Sequence, residues 1–384
     1  MRSSASTAAG LSGRPFRLAA VTELLTLRAL NRALLARQGL LEPLPLSVPA
    51  AVEHLVGLQA QVPNAPYYGL WTRLRDFTTA ELAELMQTRR VVRMALMRST
   101  VHLVTARDAL ELRALIAPML ERQLFTGSPW GRPLLGMDLA ALVATGRDLV
   151  EQRPRTNPEL AQALVERFPD RDGPSMAQAL RNLLPLVQLP PRGVWGVGGV
   201  ATLTTADSWI GAPLPADAAP DAMVRRYLAA FGPATVMDAQ SWCGLTRLSE
   251  VFERLRPGLR SFRDEDGREL FDLPDAPRPD AATPAAPRFL PEYDNALVSH
   301  ADRRRIIAPE HRERVFMKGT LLVDGFVRGT WKLTSRQRSA ELAIEVFRAL
   351  SRRHLAAVER EGARLLAFAA PDVSRRELAV RPAE

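Results

Sequence analysis

Two hydrophobic patterns alternate along the chain, and they recur in the same order. The run TELLTLRALNRALL, residues 22–35, spaces its apolar positions as a helix does; Ser47 is placed to cap a helix through VEHLVGL, and Thr78 with Glu81 forms a capping-box pattern ahead of ELAELMQ. VVRMALM and STVHLV then switch to β-branched residues and alternation, which predicts a pair of strands, and Thr105 with Asp108 caps the next helix through DALELRALIAPML.

The second stretch repeats this. Thr156 and Glu159 cap PELAQALVERF, a helix is predicted through MAQALRNLLPLV, and GVWGVGGVATL reads as strands loosened by glycine. In the third, AMVRRYLAAF is one helix, Thr235 with Asp238 caps VMDAQSW, and Thr246 starts a third helix through RLSEVFERL. SFRDEDGRELFDL closes it as a hairpin turning at Asp266-Gly267.

Helices followed by a hairpin, three times over, is the plan of a winged helix, a helix-turn-helix variant whose hairpin is the wing. The expected fold class is therefore α+β, with three tandem winged-helix motifs. The expected boundaries are a disordered tail over 1–17, winged helices over 18–125, 126–215 and 216–280, and a β-rich C-terminal region over 281–384 with a closing helix. PDAPRPDAATPAAPR reads as an extended surface linker. After it, RVFMKGTLLVDGFVRGTWKL turns at a DG step, ELAIEVF continues the strand pattern, and RALSRRHLAAVEREGARLLAFA is amphipathic.

Charge narrows the class of partner. The 384 residues carry 51 Lys and Arg against 42 Asp and Glu, a net charge of +9, which favours a polyanion such as DNA or RNA. All but Lys318 and Lys332 of those cations are arginine, so genomic base composition and bidentate phosphate binding both account for the bias. No RNP or KH pattern supports an RNA-binding module. One cysteine, Cys243, excludes an internal disulfide and any zinc site with two thiolates, and it fits a reducing cytoplasm. The five histidines show no metal-ligand spacing, so neither metal nor cofactor is expected. No apolar run approaches the ~18 residues of a membrane span. A cytoplasmic, nucleoid-associated monomer without membrane attachment is the expectation.

Candidate chemistry centres on LQAQVPNAPYYGLW, where Gln59 and Gln61 stand two apart at the end of an apolar helix pattern. Residues so spaced share a face only on an extended chain, so the pair cooperates if the helix ends between them; Pro63 and Pro66 favour that break. Two amides can grip and orient a water molecule. They also serve at a helix end by satisfying loose backbone groups. An amide is no general base, so a hydrolysis run by this pair needs a leaving group that is already activated.

The motif, together with ALMRSTVHLVTARD, AFGPATVMDAQSWCGL, FLPEYDNALVSHADRRRI and LVDGFVRGTWKL, resembles the AlkZ-type winged-helix DNA glycosylases, bacterial enzymes of alkylation repair and antibiotic self-resistance. The resemblance runs from about residue 18 to 370, in the same order throughout. It implies three winged helices in a C-shaped body with a C-terminal β-barrel, and a catalytic Gln-x-Gln motif at Gln59 and Gln61. The related YcaQ branch carries Gln-x-Asp there. The implied reaction is monofunctional hydrolysis of the N-glycosidic bond of bulky N7-alkylguanine in double-stranded DNA, extending to the unhooking of interstrand crosslinks. Alkylation at N7 makes the base cationic and a good leaving group, so positioned amides suffice. The rival reading is a winged-helix DNA-binding protein without catalysis, a regulator or a protein that sequesters damage.

Further candidates are DNA contacts. Arg98, Thr100 and His102 alternate on one face of a predicted strand, and Arg247 starts the third unit's third helix. Asp294, His300, Asp302 and Arg303 match residues characteristic of the family, either as DNA contacts or as supports of the C-terminal region. Tyr67, Tyr68 and Trp71 are placed either to stack on a base or to fill a core.

Overall fold

The computed structural model describes residues 23–383, so the expected tail over 1–17 lies outside the described residues. Each of the three stretches folds as helices followed by a hairpin. In the first, helices Leu27–Arg37, Val48–His54, Ala65–Trp71 and Thr79–Gln87 precede strands Val91–Ala95 and Val101–Thr105. In the second, helices Leu139–Gln152, Asn157–Arg167 and Gly173–Leu183 precede Leu186–Gln188 and Thr202–Thr205; in the third, Pro220–Phe231, Val236–Cys243 and Leu248–Leu255 precede Arg260–Asp264 and Glu269–Asp272. The long helix Ala106–Thr126 links the first stretch to the second.

The caps decide where these helices begin. Thr105, Thr156 and Thr235 each accept the backbone N–H three residues on, and Glu159 and Asp238 return a bond to the cap residue's own N–H.

The hairpins are not independent. Val91–Ala95 pairs antiparallel with Leu186–Gln188, fusing the first two hairpins into one six-stranded sheet in which the two-residue strand Leu58–Gln59 forms an edge beside Val101–Thr105. The third hairpin instead receives Leu24–Leu25 as a parallel strand.

The C-terminal region differs from the expected barrel. Five strands lie in the order Arg288–Leu290, Gly319–Val323, Phe326–Ser335, Ser339–Val346, Arg375–Pro382, and no pairing among the described residues closes the sheet. The reason is the last crossover. Helix Arg352–Ala369 carries the chain back so that Arg375–Pro382 adds in parallel to Ser339–Val346, extending the far edge instead of returning to the first strand. Val358, Leu365 and Leu366 of that helix bury against Leu342, Ile344 and Phe289 of the sheet.

Three arginines, Arg37 and Arg73 buried and Arg226 half-buried, tie distant segments together. Arg37 meets Asp272 at 2.7 Å, Arg73 meets Asp294 at 2.7 Å, and Arg226 meets Asp108 at 2.5 Å. The proline-rich linker is held as well, its carbonyls at Pro277, Ala281 and Thr283 accepting from Arg37, Arg28 and Arg32 of the first helix.

Candidate active site

The glutamine motif leaves its helix earlier than the apolar pattern predicts. Helix Val48–His54 stops short of it, and Gly57, at φ +87°, turns the chain into the edge strand Leu58–Gln59, paired to Leu103 and His102. The turn needs glycine on two counts: a Cβ there would sit 2.5 Å from Val104 Cγ1 and 3.0 Å from the Leu103 carbonyl. Asn295 donates to the Gly57 carbonyl at 2.6 Å and fixes the turn from the C-terminal side. The strand ends at Gln59; Ala60 beyond it is fully buried, and Gln61 follows in a bend.

Both amides are oriented by their oxygens. Gln59 Oε1 accepts from the Arg98 guanidinium at 3.1 Å, and Gln61 Oε1 accepts from the Val101 backbone N–H at 3.3 Å. Each NH2 group is thereby turned away from those partners, and each oxygen keeps a second lone pair. The two differ in access. Gln59 is buried, at 8 % exposure, whereas Gln61 is exposed.

Arg98 does not lie on a strand, as the alternation with Thr100 and His102 predicts. It occupies the turn between the strands of the first hairpin, and both Arg98 and Ser99 are left-handed, each with φ 56°. From there its guanidinium spans two units, donating to Gln59 and to the Trp242 carbonyl of helix Val236–Cys243. Burial, with Arg303 adding repulsion, pushes its pKa down to about 10, so it remains a cation at neutral pH without an ion pair.

The two candidate histidines are internal. His102 faces Gln59 across the edge pairing, is fully buried, and meets the Thr100 carbonyl through Nδ1 at 2.9 Å; its Nε2 has no partner. Burial, then the Arg98 charge, push its pKa down to about 3, so the ring is neutral and Nδ1 carries the proton. His300 is buried between the Phe231 carbonyl, at 3.0 Å from Nε2, and the Ser299 hydroxyl, and burial with Arg305 lowers its pKa too. Neither ring faces outward to meet a phosphate.

Arg303 and Arg247 are exposed, the first near enough to Arg98 to affect its ionisation, the second at the left-handed cap position just before helix Leu248–Leu255. The structure therefore gathers Gln59, Gln61, Arg98, His102 and Arg303 in one region. Asp294 is part of the scaffold, bidentate to Arg73, and Asp302 bonds Arg304 and Arg268. The aromatic trio is core: Tyr67 is fully buried with its hydroxyl on the Trp195 N–H, and Tyr68 and Trp71 pack on Phe368.

The AlkZ-like DNA glycosylase family matches over residues 52–368, which takes in the motif, most of the first helix-and-hairpin stretch, the whole of the second and third, and all of the C-terminal sheet but its last strand. The chain belongs to that family. An interstrand DNA cross-link repair glycosylase of Streptomyces sahachiroi is 28% identical over 359 aligned residues, covering 83% of this chain and 91% of the relative. The solved structure of the DNA glycosylase AlkZ from the same organism superposes with a TM-score of 0.76 over 93% of this chain and 99% of its own, at 22% identity, and shows the shared fold. The chain is thus a DNA glycosylase of mixed α+β architecture. Among the described residues no helix is long and apolar enough to cross a membrane.

Proposed function

We propose that this glycosylase hydrolyses the N-glycosidic bond of bulky N7-alkylguanine in double-stranded DNA, unhooks interstrand crosslinks built on such adducts, and serves in self-resistance to a DNA-alkylating natural product. In this reading the three helix-and-hairpin stretches act as winged helices, and the enzyme works as a monomer, in the cytoplasm on the nucleoid. The crosslink activity rests on the likeness to the interstrand DNA cross-link repair glycosylase of Streptomyces sahachiroi. The chemistry rests on one observation: Gln59 and Gln61 are fixed by their oxygens as a pair of neutral groups, and neither hydrogen-bonds a carboxylate among the described residues.

Without a base to deprotonate water, the C1′–N9 bond must break largely on its own, its electron pair neutralising the cationic base. Water then adds to C1′ of the oxocarbenium-like sugar and loses its proton to solvent. Gln61, the exposed member, orients that water; Gln59, held by Arg98, fixes the sugar and the water's other side. The only described lysines, Lys318 and Lys332, lie in the C-terminal part and away from the motif, which leaves no lysine there for a Schiff base and makes the product an intact abasic site.

The test replaces both glutamines by alanine. Base release from an N7-methylguanine duplex, read as alkali-revealed abasic sites, should be abolished while DNA affinity stays within a few-fold. Uracil, a neutral leaving group, should not be released by the wild type. A double variant as active as wild type overturns the assignment.

A further inference from the structure

The fold pairs buried arginines such as Arg37 and Arg73 with carboxylates. Behind the turn that carries Arg98, as at Arg93, it leaves them without one. Arg98, Arg113 and Arg181 are each largely withdrawn from solvent, and each meets only carbonyl or amide oxygens: Arg98 at Trp242 and Gln59, Arg113 at Asn182, Arg181 at Ser99. None of the three forms an ion pair among the described residues. Desolvating a guanidinium without an anion is costly, and an arriving anion offsets part of that cost.

A cavity of about 400 Å³ opens at this place, between the Arg98–Ser99 turn, the loop carrying Trp130, and helix Gly173–Leu183. Arg98, Arg181 and Gln178 line it, and no carboxylate does. Arg181 Nε is buried with no partner, and its NH2 already holds the Ser99 carbonyl at 2.8 Å, so the guanidinium is fixed before any ligand binds. Asn182 clamps the turn from the same helix, its Oδ1 accepting from the Ser99 hydroxyl at 3.0 Å. At the rim stands the indole of Trp130, 40% exposed where large apolar side chains are otherwise mostly covered. Donors held rigidly, positive charge without a counterion and an aromatic face at the edge form a receptor for a phosphodiester and its sugar.

We propose that this cavity is a phosphate subsite, seating one phosphodiester of the lesion-bearing strand beside the reacting nucleotide, with Arg181 and Gln178 as its donors and Trp130 against the flanking sugar and base. The proposal rests on the glycosylase reading of the glutamine pair. It gives Arg98 two tasks at once, since the same guanidinium lines the cavity and holds Gln59 Oε1. Seating the backbone therefore braces the residue that orients the catalytic amide. Two consecutive left-handed residues without glycine at this turn are the strain that holds such a group in place.

The experiment is a scan of duplexes carrying an N7-methylguanine and one methylphosphonate at a time at the neighbouring linkages, with binding measured for the wild type and for Arg181→Met. At one linkage the neutral substitution should weaken wild-type binding by about tenfold, as loss of a charge-assisted contact does. Arg181→Met should lose a similar factor on unmodified backbone and nothing further at that linkage. Arg181→Lys, which keeps the charge without the fork, should recover part of the loss. Should Arg181→Met fail to fold, Gln178→Leu carries the same comparison and should show a smaller coupling at the same linkage. Losses that multiply independently at every linkage overturn the subsite. Base release by the wild type is read separately: coupling without release would leave the subsite standing and sink the proposed reaction, and release without coupling would do the reverse.

Discussion

At the residue scale, the proposed reaction turns on which end of each amide is free. Gln59 was legible in the sequence because its spacing from Gln61 and the prolines after it demand an extended chain. Arg98 was legible only as a cation, since nothing local says that a non-glycine pair takes left-handed angles and bends the guanidinium back onto Gln59. Arg98→Lys makes the distinction measurable. A single ammonium cannot reach the Trp242 carbonyl and Gln59 together, so the amide is freed while the charge stays. The single-turnover rate should fall on the order of 10²-fold, as for a misplaced catalytic group, with a much smaller change in DNA affinity. Equal losses in rate and affinity would mean that Arg98 serves only as a phosphate contact. The neighbouring His102 makes a prediction about pH. Its folded pKa of about 3 lies below the ~6.5 of an unfolded histidine, so the unfolded chain takes up the proton first as pH falls. The stability it confers is whole above about pH 6.5 and drains as pH drops towards 3, by up to ~1.4 kcal/mol per pH unit. Buried His300 works in the same direction. Urea unfolding midpoints at pH 7 and pH 5 should therefore differ, and His102→Asn should reduce the difference; a flat profile would contradict the buried neutral ring.

Among the elements, most helix starts were readable because the caps are local. Thr105, Thr156 and Thr235 sit three residues before the acids their positions predict, and the Asp324-Gly325 turn falls between its strands as written. What failed depends on partners elsewhere in the chain. MAQALRNLLPLV reads as one helix, but the chain leaves it after Leu183 because Leu186–Gln188 pairs with the first hairpin. The glycine-rich stretch before Thr202 forms turns, with Thr202–Thr205 alone as strand, and the Arg375–Pro382 edge strand was invisible without its parallel neighbour. The motif strand itself depends on a single glycine. Gly57→Ala forces a Cβ against Val104 and the Leu103 carbonyl at an unfavourable φ, so the edge pairing of Leu58–Gln59 must shift. Base release should fall by tenfold or more, on the order expected for a displaced catalytic group, while the circular dichroism and the melting transition of the remaining fold stay close to wild type. An alanine variant with full activity would show that the register of this strand is not what positions the amides.

For the molecule as a whole, the question is how three similar stretches and an open sheet hold one site to sub-ångström tolerance. The site draws on all of them: the motif strand and Arg98 from the first, Arg181 from the second, the Trp242 carbonyl from the third, and Asn295 on Gly57 from the C-terminal part. Such a junction is illegible in sequence, because Arg73 and Asp294 stand 221 positions apart and nothing in their spacing links them. The aspartate was legible only as a polar residue matching the family, with two roles open. The structure gives it the supporting one, bidentate to Arg73 at 2.8 and 2.7 Å and capping helix Asn295–Val298. Asp294→Leu should then cost about 3–5 kcal/mol in unfolding free energy, since it leaves a guanidinium buried without its anion. Much of that should return in Arg73→Met with Asp294→Leu, which removes both charges and keeps comparable volume. Because Asn295 fixes Gly57 from the adjoining position, the single variant should also slow base release at temperatures where it remains folded. The salt dependence of DNA binding should not change, as neither partner of this buried pair is free to meet a phosphate. Urea titrations at constant m-value give the first comparison and binding across a salt series gives the last. A single variant within about 1 kcal/mol of wild type, or one that flattens the salt slope, would show that Asp294 reaches DNA and does not brace the scaffold.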